Sequence, residues 1–332
     1  MTRLASAGNP TRQDQVLRNS VDSTGQQTQA VPRMRPLVRV MTWELRRFSA
    51  SRIFWIEALG FFSLLLLITW ASRMPSNFDF GSRNGGLTVS GFVAGTSPAG
   101  LLHNLPTFLT LLVILLPFIT ADGVTRDVQR RTHELVMTTA LPIWAYVWGR
   151  YLVGLIMSLG LAVLMLAAIL GMGTLLHMTV SEYPLPSVNA TVLLWVGMVL
   201  PAGVLVTSLA FAIVTLLPRL STLVKAVILV SWIVGSLVIP SGVRDQIPPS
   251  WYVNWDPTSA VTAIGMLPQY SFSNLLQTAT SAAQFQGAFL AIENQTPMLG
   301  SWFASHLLLG GLSLMVVVIV PFAFNRSRDV LA

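Results

Sequence analysis

Six apolar stretches, each long enough to cross a lipid bilayer, limit the folds available to this chain. They cover about residues 54–71, 101–121, 145–170, 190–217, 223–239 and 302–324. A helix rises about 1.5 Å per residue, so about 20 residues cross a hydrocarbon core of about 30 Å. The first and fifth stretches are shorter than this, so flanking residues must extend them to cross the bilayer. The sequence therefore predicts an all-α membrane protein with six transmembrane helices.

The composition agrees with that class. Hydrophobic residues make up 53% of the 332 residues and charged residues only 10%. A soluble domain carries roughly 25% charged residues, so most of this chain must face lipid or other membrane helices. The absence of cysteine excludes disulfides, thiolate metal sites and cysteine nucleophiles.

The distribution of basic residues predicts the orientation. Seventeen of the 20 Arg and Lys residues lie in the N-terminal segment, in residues 122–150, at Arg219 and Lys225 near the start of the fifth span, or in the C-terminal tail. The positive-inside rule then places both termini in the cytoplasm. The net charge of +7 is explained by these cytoplasmic basic residues. It therefore does not indicate binding to nucleic acid, and no nucleic-acid partner is expected.

Three regions are predicted along the chain. Residues 1–34 are polar and aperiodic, which is typical of a disordered cytoplasmic tail, with a regulatory or lipid-binding arm as the alternative. They contain no apolar core of a signal peptide. Residues 35–325 form the six-span domain, and residues 326–332 form a short cytoplasmic tail.

The segment before the first span has helical periodicity. Its apolar face carries Leu37, Val40, Met41, Leu45 and Phe48, and its opposite face carries Arg39, Thr42 and Arg46. We expect an amphipathic helix in the membrane interface, with its Arg side chains toward lipid headgroups. Glu44 is the exception on the apolar face. It pairs either with Arg47, three residues on, or with a cation of residues 122–150.

Residues 122–150 concentrate seven charged side chains in a chain with few charges elsewhere. A helix over 126–139 is predicted, with Thr125 as N-cap and Asp127 in the first turn. The pairs Asp127–Arg131 and Arg130–Glu134 share one face at the favourable i,i+4 spacing. Pro142 ends the helix.

This segment resembles the cytoplasmic coupling segment of the six-helix, type-2 permease family of ABC exporters. The family pattern has an acid, a Thr-x-Glu step, a Leu-rich turn, a Thr-Pro break and a Gly-Lys before the third span. Matching positions occur in order: Asp127, Thr132, Glu134, Leu135, Thr139 with Pro142, and Gly149 with Arg150. The departures are Arg131 for a Gly, Arg150 for the Lys, and two residues between Thr139 and Pro142. With the span count and spacing, the resemblance covers most of residues 35–325.

The resemblance implies a function and its partners. The chain would be the permease subunit for ATP-driven export, with a second permease chain, identical or paralogous, and a separate P-loop ATPase that binds ATP–Mg. The helix at 37–48 would be the family's elbow helix, and 126–139 its coupling helix. The implied ATPase-coupling residues are Asp127, Arg130, Arg131, Thr132, Glu134, Met137 and Pro142, with Met137 as an apolar knob. The alternative is a solvated loop that carries only a topology signal.

The chain has no ATPase motif of its own. A Walker A loop needs Gly-Lys-Ser/Thr, and the one lysine, Lys225, lies between Val224 and Ala226. Paired carboxylates, metal clusters and a Gly-x-Ser-x-Gly elbow are also missing from the sequence. We therefore expect a non-enzymatic subunit in a prokaryotic cell membrane, which binds no cofactor itself. A stand-alone secondary transporter or channel, and a non-transport immunity or assembly protein, remain alternatives, and the substrate stays open.

Other features lead to local expectations. Glu57, one turn into the first span, pairs with Arg52 or Arg150, or lies on a substrate path. Residues 72–100 are rich in Gly, Ser and Asn and should be irregular. A helix over 273–293 is expected in the long loop at 240–300. In the third span, Gly154 with Ser158 and Ala167 with Gly171 should allow close helix packing.

The charge distribution generates a topology prediction. Reporters fused after Arg131 and after Arg328 should read cytoplasmic, and one fused near Gln246 should read external, because basic segments are retained inside. Reporter activity in intact cells is the measurement. A cytoplasmic reading at Gln246 would contradict the six-span model.

Overall fold

The computed structural model describes residues 35–72, 74–80, 87–129, 141–180, 183–243, 248–271 and 281–331. For 35, 74–80, 87–93, 122–129, 243, 282–283 and 323–331 it describes the backbone alone. Within these residues, six helices are long and apolar enough to span a membrane. The predicted helical membrane fold with six spans is thus confirmed, and residues 1–34 lie outside the described residues.

The six spans are labelled here in chain order together with the shorter helices. A shorter helix, α1 (Arg35–Ser49), precedes them, and Ser51 accepts a hydrogen bond from the Phe54 N–H at the start of α2 (Arg52–Ala71). α3 is Pro98–Gln129, α4 is Ile143–Thr179, and α10 is Ser301–Leu331. α10 therefore continues through most of the tail predicted at 326–332.

Two spans contain a π-helical turn. α5 consists of Val188–Leu194, a π turn at Trp195–Val199 and Leu200–Leu216. Pro201 lies two residues after the turn and has no N–H to donate, which makes a locally widened helix favourable. α6 begins with a 3₁₀ turn, Pro218–Leu220, and consists of Ser221–Ile233, a π turn at Val234–Val238 and Ile239–Val243.

Between α2 and α3 the chain forms a β-hairpin. β1 (Met74–Phe80) pairs antiparallel with β2 (Leu87–Val93), with Met74 opposite Val93 and Phe80 opposite Leu87. The expectation of an irregular segment at 72–100 was wrong. It gave weight to the Gly, Ser and Asn residues and overlooked the β-branched and aromatic residues of 87–93.

The segment between α6 and α10 contains three short helices. These are α7 (Ser250–Trp255), α8 (Ala260–Met266) with a 3₁₀ turn at Leu267–Tyr270, and α9 (Ala282–Glu293). α9 occupies the second half of the helix predicted over 273–293, and residues 272–280 lie outside the described part. Asp256 is buried and accepts hydrogen bonds from the Thr258 and Val261 N–H groups, which starts α8.

α5 is the central helix of the bundle, and it packs against α3, α4 and α10. In the most apolar stretch of α5, 72% of the residues are buried, compared with 17% in the α6 span and 22% in α2. Small residues allow the approach: Gly197 lies against Trp302 and Phe303, and Gly203 lies near Ser158. α6 and α2 therefore form the outer faces of this chain.

Buried hydroxyl groups also join the spans. Tyr151 Oη of α4 lies 2.9 Å from Ser208 Oγ of α5, and Ser313 of α10 donates to Ser208 Oγ at 3.4 Å. Thr110 of α3 lies 2.9 Å from Ser236 in the π turn of α6. Such bonds between helices contribute about 0.6 kcal/mol each on average in membranes.

The two small-residue pairs of α4 differ in outcome. Gly154 faces Thr120 of α3, where a Cβ would lie 3.3 Å from the Thr120 Cβ. Ser158 is buried near α5. Among the described residues, no atom lies within 4 Å of the Cβ position of Gly171. The close-packing prediction holds for the first pair and was wrong for Gly171.

Candidate functional site

The candidate site is the contact between α1 and the beginning of α4, which we call the N-helix junction. It comprises Trp43, Glu44 and Arg47 of α1 and Tyr146, Gly149 and Arg150 of α4. It lies at the end of the bundle where residues 122–142 connect α3 to α4. The β-hairpin and α7–α9 belong to the opposite end, which we call the hairpin end.

The two helices meet at Gly149. A Cβ at this position would lie 2.7 Å from Val40 Cγ1 and 2.9 Å from Val40 Cβ, closer than real Cβ contacts. Val40 is 8% exposed, and a β-branched side chain has little rotamer freedom in a helix. The absence of a side chain at Gly149 therefore allows α1 to lie against α4.

One turn along α1, Glu44 forms an ion pair with the neighbouring residue of α4. Glu44 Oε1 lies 3.1 Å from Arg150 Nε, and both side chains are 2% exposed. Arg47 Nε lies 3.2 Å from Glu44 Oε2, and Arg47 is 28% exposed. Both partners considered for Glu44 from the sequence are therefore in contact with it.

Aromatic rings surround the two guanidinium groups. The Arg150 Cζ lies 4.7 Å from the centroid of the Tyr146 ring and 5.5 Å from that of Trp43. Arg47 lies over Trp43 and Phe48 at 5.9 Å and 5.3 Å. Cation–π contacts of this kind add about 0.5–2 kcal/mol when the cation is desolvated. The rings also keep water from the Glu44–Arg150 pair.

A buried ion pair specifies geometry more than it stabilises the fold. Two charges lose their hydration when they are buried, and their attraction offsets this cost only in a well-defined arrangement. α1 can shift along α4 only if the Glu44 carboxylate leaves Arg150. The junction therefore couples the position of α1 to the first two turns of α4.

The residues of the predicted coupling helix lie mostly outside the described part of the chain. Arg130, Arg131, Thr132, Glu134 and Met137 belong to 130–140. Asp127 lies in the last turns of α3, which continues without a break from Pro98 to Gln129. Thr125 is thus inside a helix, and its predicted role as N-cap of a separate helix was wrong. The polar sequence at 122–125 indicated that the helix of the second span ends there, whereas α3 continues past the membrane segment to Gln129.

Pro142 lies at the beginning of α4. Its backbone is extended, with φ −68° and ψ 136°, and its carbonyl accepts hydrogen bonds from the Ala145 and Tyr146 N–H groups at 3.0 and 3.2 Å. A residue preceding the helix supplies such a carbonyl. Pro142 is therefore the N-cap of the helix that carries Tyr146, Gly149 and Arg150.

Glu57 has neither of the expected pairings. It is half-buried in α2, and among the described residues it forms no ion pair with Arg52 or Arg150. Arg150 contacts Glu44 instead. The structure places Glu57 outside the N-helix junction, and its role on a substrate path stays a prediction.

A cavity of about 1100 Å³ opens at the hairpin end, between α3, α6 and the α7–α8 segment. Its polar lining includes His103, Thr107, Ser236, Ser241, Asn254 and Ser271. None of its lining residues is Asp, Glu, Lys or Arg. Sequence reasoning missed this cavity, because its walls come from four separated segments. In the described ranges, no group of three or more His, Asp or Glu side chains could hold a metal ion.

Comparison with known proteins adds no identification. No family model matches the chain, and no curated protein matches it.

The N-helix junction generates a stability prediction. Glu44→Gln should lower the free energy of unfolding by about 3 kcal/mol, because it removes the carboxylate from a buried ion pair and leaves Arg150 buried. The midpoint of thermal denaturation in detergent is the measurement. Arg46→Gln is the matched control: it removes a charge from the exposed face of α1, and its effect should be within about 0.5 kcal/mol. Equal losses in the two variants would contradict the assignment.

Proposed function

We propose that this chain is the transmembrane permease subunit of an ABC transporter, working in export with a separate P-loop ATPase subunit. The observation that carries the proposal is the Glu44–Arg150 ion pair. It joins α1 to the position where the charged segment at 122–150 enters α4. These are the two parts that the family resemblance assigns to the elbow helix and the coupling segment.

The proposed mechanism follows from this connection. The partner ATPase binds ATP–Mg, and its closure displaces the segment around Asp127, Arg130, Arg131, Thr132, Glu134 and Met137. Pro142 and the first turns of α4 move with that segment. α1 moves as well, because Glu44 and Val40 hold it against Arg150 and Gly149. Since α4 packs on α5, the displacement is transmitted to the centre of the bundle.

A second permease chain completes the pathway in this proposal. α2 and α6 bury little of their surface within one chain, which leaves faces for lipid or for that second chain. The cavity at the hairpin end, beside α6, is of the size of ligand sites in proteins. Its uncharged lining supports passage of a solute that does not need a fixed counter-charge. Both termini are proposed to lie in the cytoplasm of a prokaryotic cell, with the protein in the cell membrane.

The proposal makes a prediction about the partner. Purified alone, the chain should hydrolyse no ATP, because its sequence contains no Walker A loop. Co-expressed with the P-loop ATPase encoded by a neighbouring gene, it should co-purify in a stoichiometric complex that does hydrolyse ATP. Size-exclusion chromatography and a phosphate-release assay are the measurements. Absence of a P-loop ATPase gene nearby, together with solute transport by the chain alone in liposomes, would favour a secondary transporter instead.

A second prediction concerns the coupling residues. Exposed i,i+4 pairs contribute only about 0.3–0.5 kcal/mol each, so Glu134→Ala and Arg130→Glu should leave insertion and folding intact. If these charged residues orient the chain against the ATPase, as charges at the edge of an interface do, the same changes should disrupt that contact. ATPase activity of the reconstituted complex should fall at least about tenfold, which corresponds to about 1.4 kcal/mol of coupling.

The control for these variants is Arg244→Glu, which changes a charge in a predicted external loop. It should leave ATPase activity within twofold of the wild type, roughly the effect of a remote surface substitution. The membrane level of every variant is checked by immunoblot. Wild-type activity in both Glu134→Ala and Arg130→Glu would contradict a role for this segment in coupling to the ATPase.

A further inference from the structure

Glu293 is a buried acid that the proposed function does not use. It is the last residue of α9 at the hairpin end, outside the six spans, and its exposed fraction is 0%. Burial of an ionised carboxylate without a cation is very unfavourable. In the described part of the chain, no Arg, Lys or His forms an ion pair with Glu293. The carboxyl is therefore held by hydrogen bonds alone.

The two oxygens of Glu293 have different environments. Oε1 accepts hydrogen bonds from the Ala94 N–H at 2.6 Å and from the Ser97 hydroxyl at 2.8 Å. Oε2 is buried and has no hydrogen-bond partner among the described residues. An ionised carboxylate shares its charge between both oxygens, and here one of them would lack a donor. A protonated carboxyl fits better, because its carbonyl oxygen can accept from both donors, and an unpartnered neutral O–H costs far less to bury than an unpaired charge.

These hydrogen bonds join two distant parts of the chain. Ala94 and Ser97 lie just before α3, which begins at Pro98. Glu293 ends α9, nearly 200 residues later. Two residues past Glu293, the Gln295 carbonyl accepts a hydrogen bond from the Tyr270 hydroxyl at 2.9 Å. The cavity is lined by Ser271 and Ser301, which lie on either side of this segment in the sequence. Glu293 therefore anchors α9, which precedes Ser301 of the cavity wall in the sequence.

We propose that Glu293 is a proton-binding latch at the hairpin end. With its proton bound, it seats α9 on the start of α3, and loss of that proton releases α9. The latch is independent of the proposed transporter function, because it depends only on contacts within this chain. A release would free α9 and the residues that connect it to Ser301 in the cavity wall.

The ionisable groups around Glu293 come from several elements of the hairpin end. Tyr183 is closest: its hydroxyl lies 2.9 Å from Thr96 Oγ1, and burial raises its pKa above the usual 10, with the Glu293 charge raising it further. Tyr183 is thus neutral at physiological pH. α9 has no other ionisable residue. At the hairpin end, the remaining ionisable residues of β1, α3, α4 and the turn after α8 are Asp79, in register with Thr88, His103, His177 and Tyr270.

The direction of the pH dependence follows from the burial of Glu293. Burial raises the pKa of this carboxyl from the ordinary 4.5 to about 7, and the bonds from Ser97 and Ala94 offset this only in part. The seated state holds the proton more tightly than the released state, which has an ordinary carboxyl. Seating is therefore most stable below about pH 4.5 and loses stability as the pH rises to about 7. Between pH 5 and pH 8 the ratio of seated to released protein should fall on the order of 50-fold.

The test is amide hydrogen exchange of residues 282–293 in the full chain, reconstituted in lipid nanodiscs. After correction for the chemical exchange rate, wild-type protection should fall on the order of 50-fold from pH 5 to pH 8. Glu293→Gln should keep high protection at both pH values, because the amide oxygen accepts the same two donors and cannot ionise. Glu293→Ala should have low protection throughout.

Two controls separate the latch from a general effect of pH. Residues 260–266 of α8, at the same end, should show a constant corrected protection in every variant. Gln284→Glu adds a carboxyl at an exposed position of α9 and should behave as the wild type. A pH-independent wild type, or an equal pH dependence in Glu293→Gln, would overturn the proposal. Glu293→Gln remains informative even if the alanine variant does not fold.

Discussion

The packing of α5 among α3, α4 and α10 is the constraint on which the rest of the structure depends. A chain in lipid gains little from the hydrophobic effect between its helices, so close contact and hydrogen bonds must hold them. α5 meets that requirement with small residues such as Gly197 and Gly203 and with Ser208, which contacts Tyr151 and Ser313. The π turn before Pro201 belongs to the same helix. The other spans are arranged around it, and α2 and α6 remain at the outside.

The N-helix junction and the hairpin end use buried charge in different ways. At the junction, Glu44 is compensated by Arg150 and by Arg47, and aromatic rings exclude water from the pair. At the hairpin end, Glu293 is held by an N–H and a hydroxyl, without a cation in the described residues. A carboxyl that is buried without a cation responds to burial by taking up a proton. The first arrangement suits mechanical coupling, and the second suits a response to pH.

The proposed transporter function and the proposed latch concern opposite ends of one bundle. The junction holds α1 on α4 beside the segment that the proposal assigns to the ATPase. The latch holds α9, near the cavity between α3, α6 and α8. α3 extends from one end to the other, from Pro98 next to the latch to Gln129 next to the charged segment. This helix is therefore the element through which the two ends would communicate.

The sequence by itself determined the class of fold, because the apolar stretches have membrane length whatever their neighbours are. It also located α1 through its helical periodicity and identified Glu44 as the exception on the apolar face. For Glu44 it left two possibilities open, Arg47 or a cation of residues 122–150, and it could not identify Arg150 among those cations, because Arg150 lies more than 100 residues away. The hairpin at 74–93 and the continuation of α3 through Thr125 were misjudged from local residue preferences, which tertiary context overrides.

Only the tertiary structure decided which residues meet. Gly149 matched a family pattern in the sequence, but its contact with Val40 requires knowing how α1 crosses α4. The cavity and the Glu293 hydrogen bonds join segments that are far apart along the chain, and no periodicity predicts such contacts. Glu293 in the sequence is an ordinary acid at the end of a loop helix. Its burial against Ala94 and Ser97 changes its proton affinity, because desolvation depends on the atoms packed around a group and not on its neighbours in sequence.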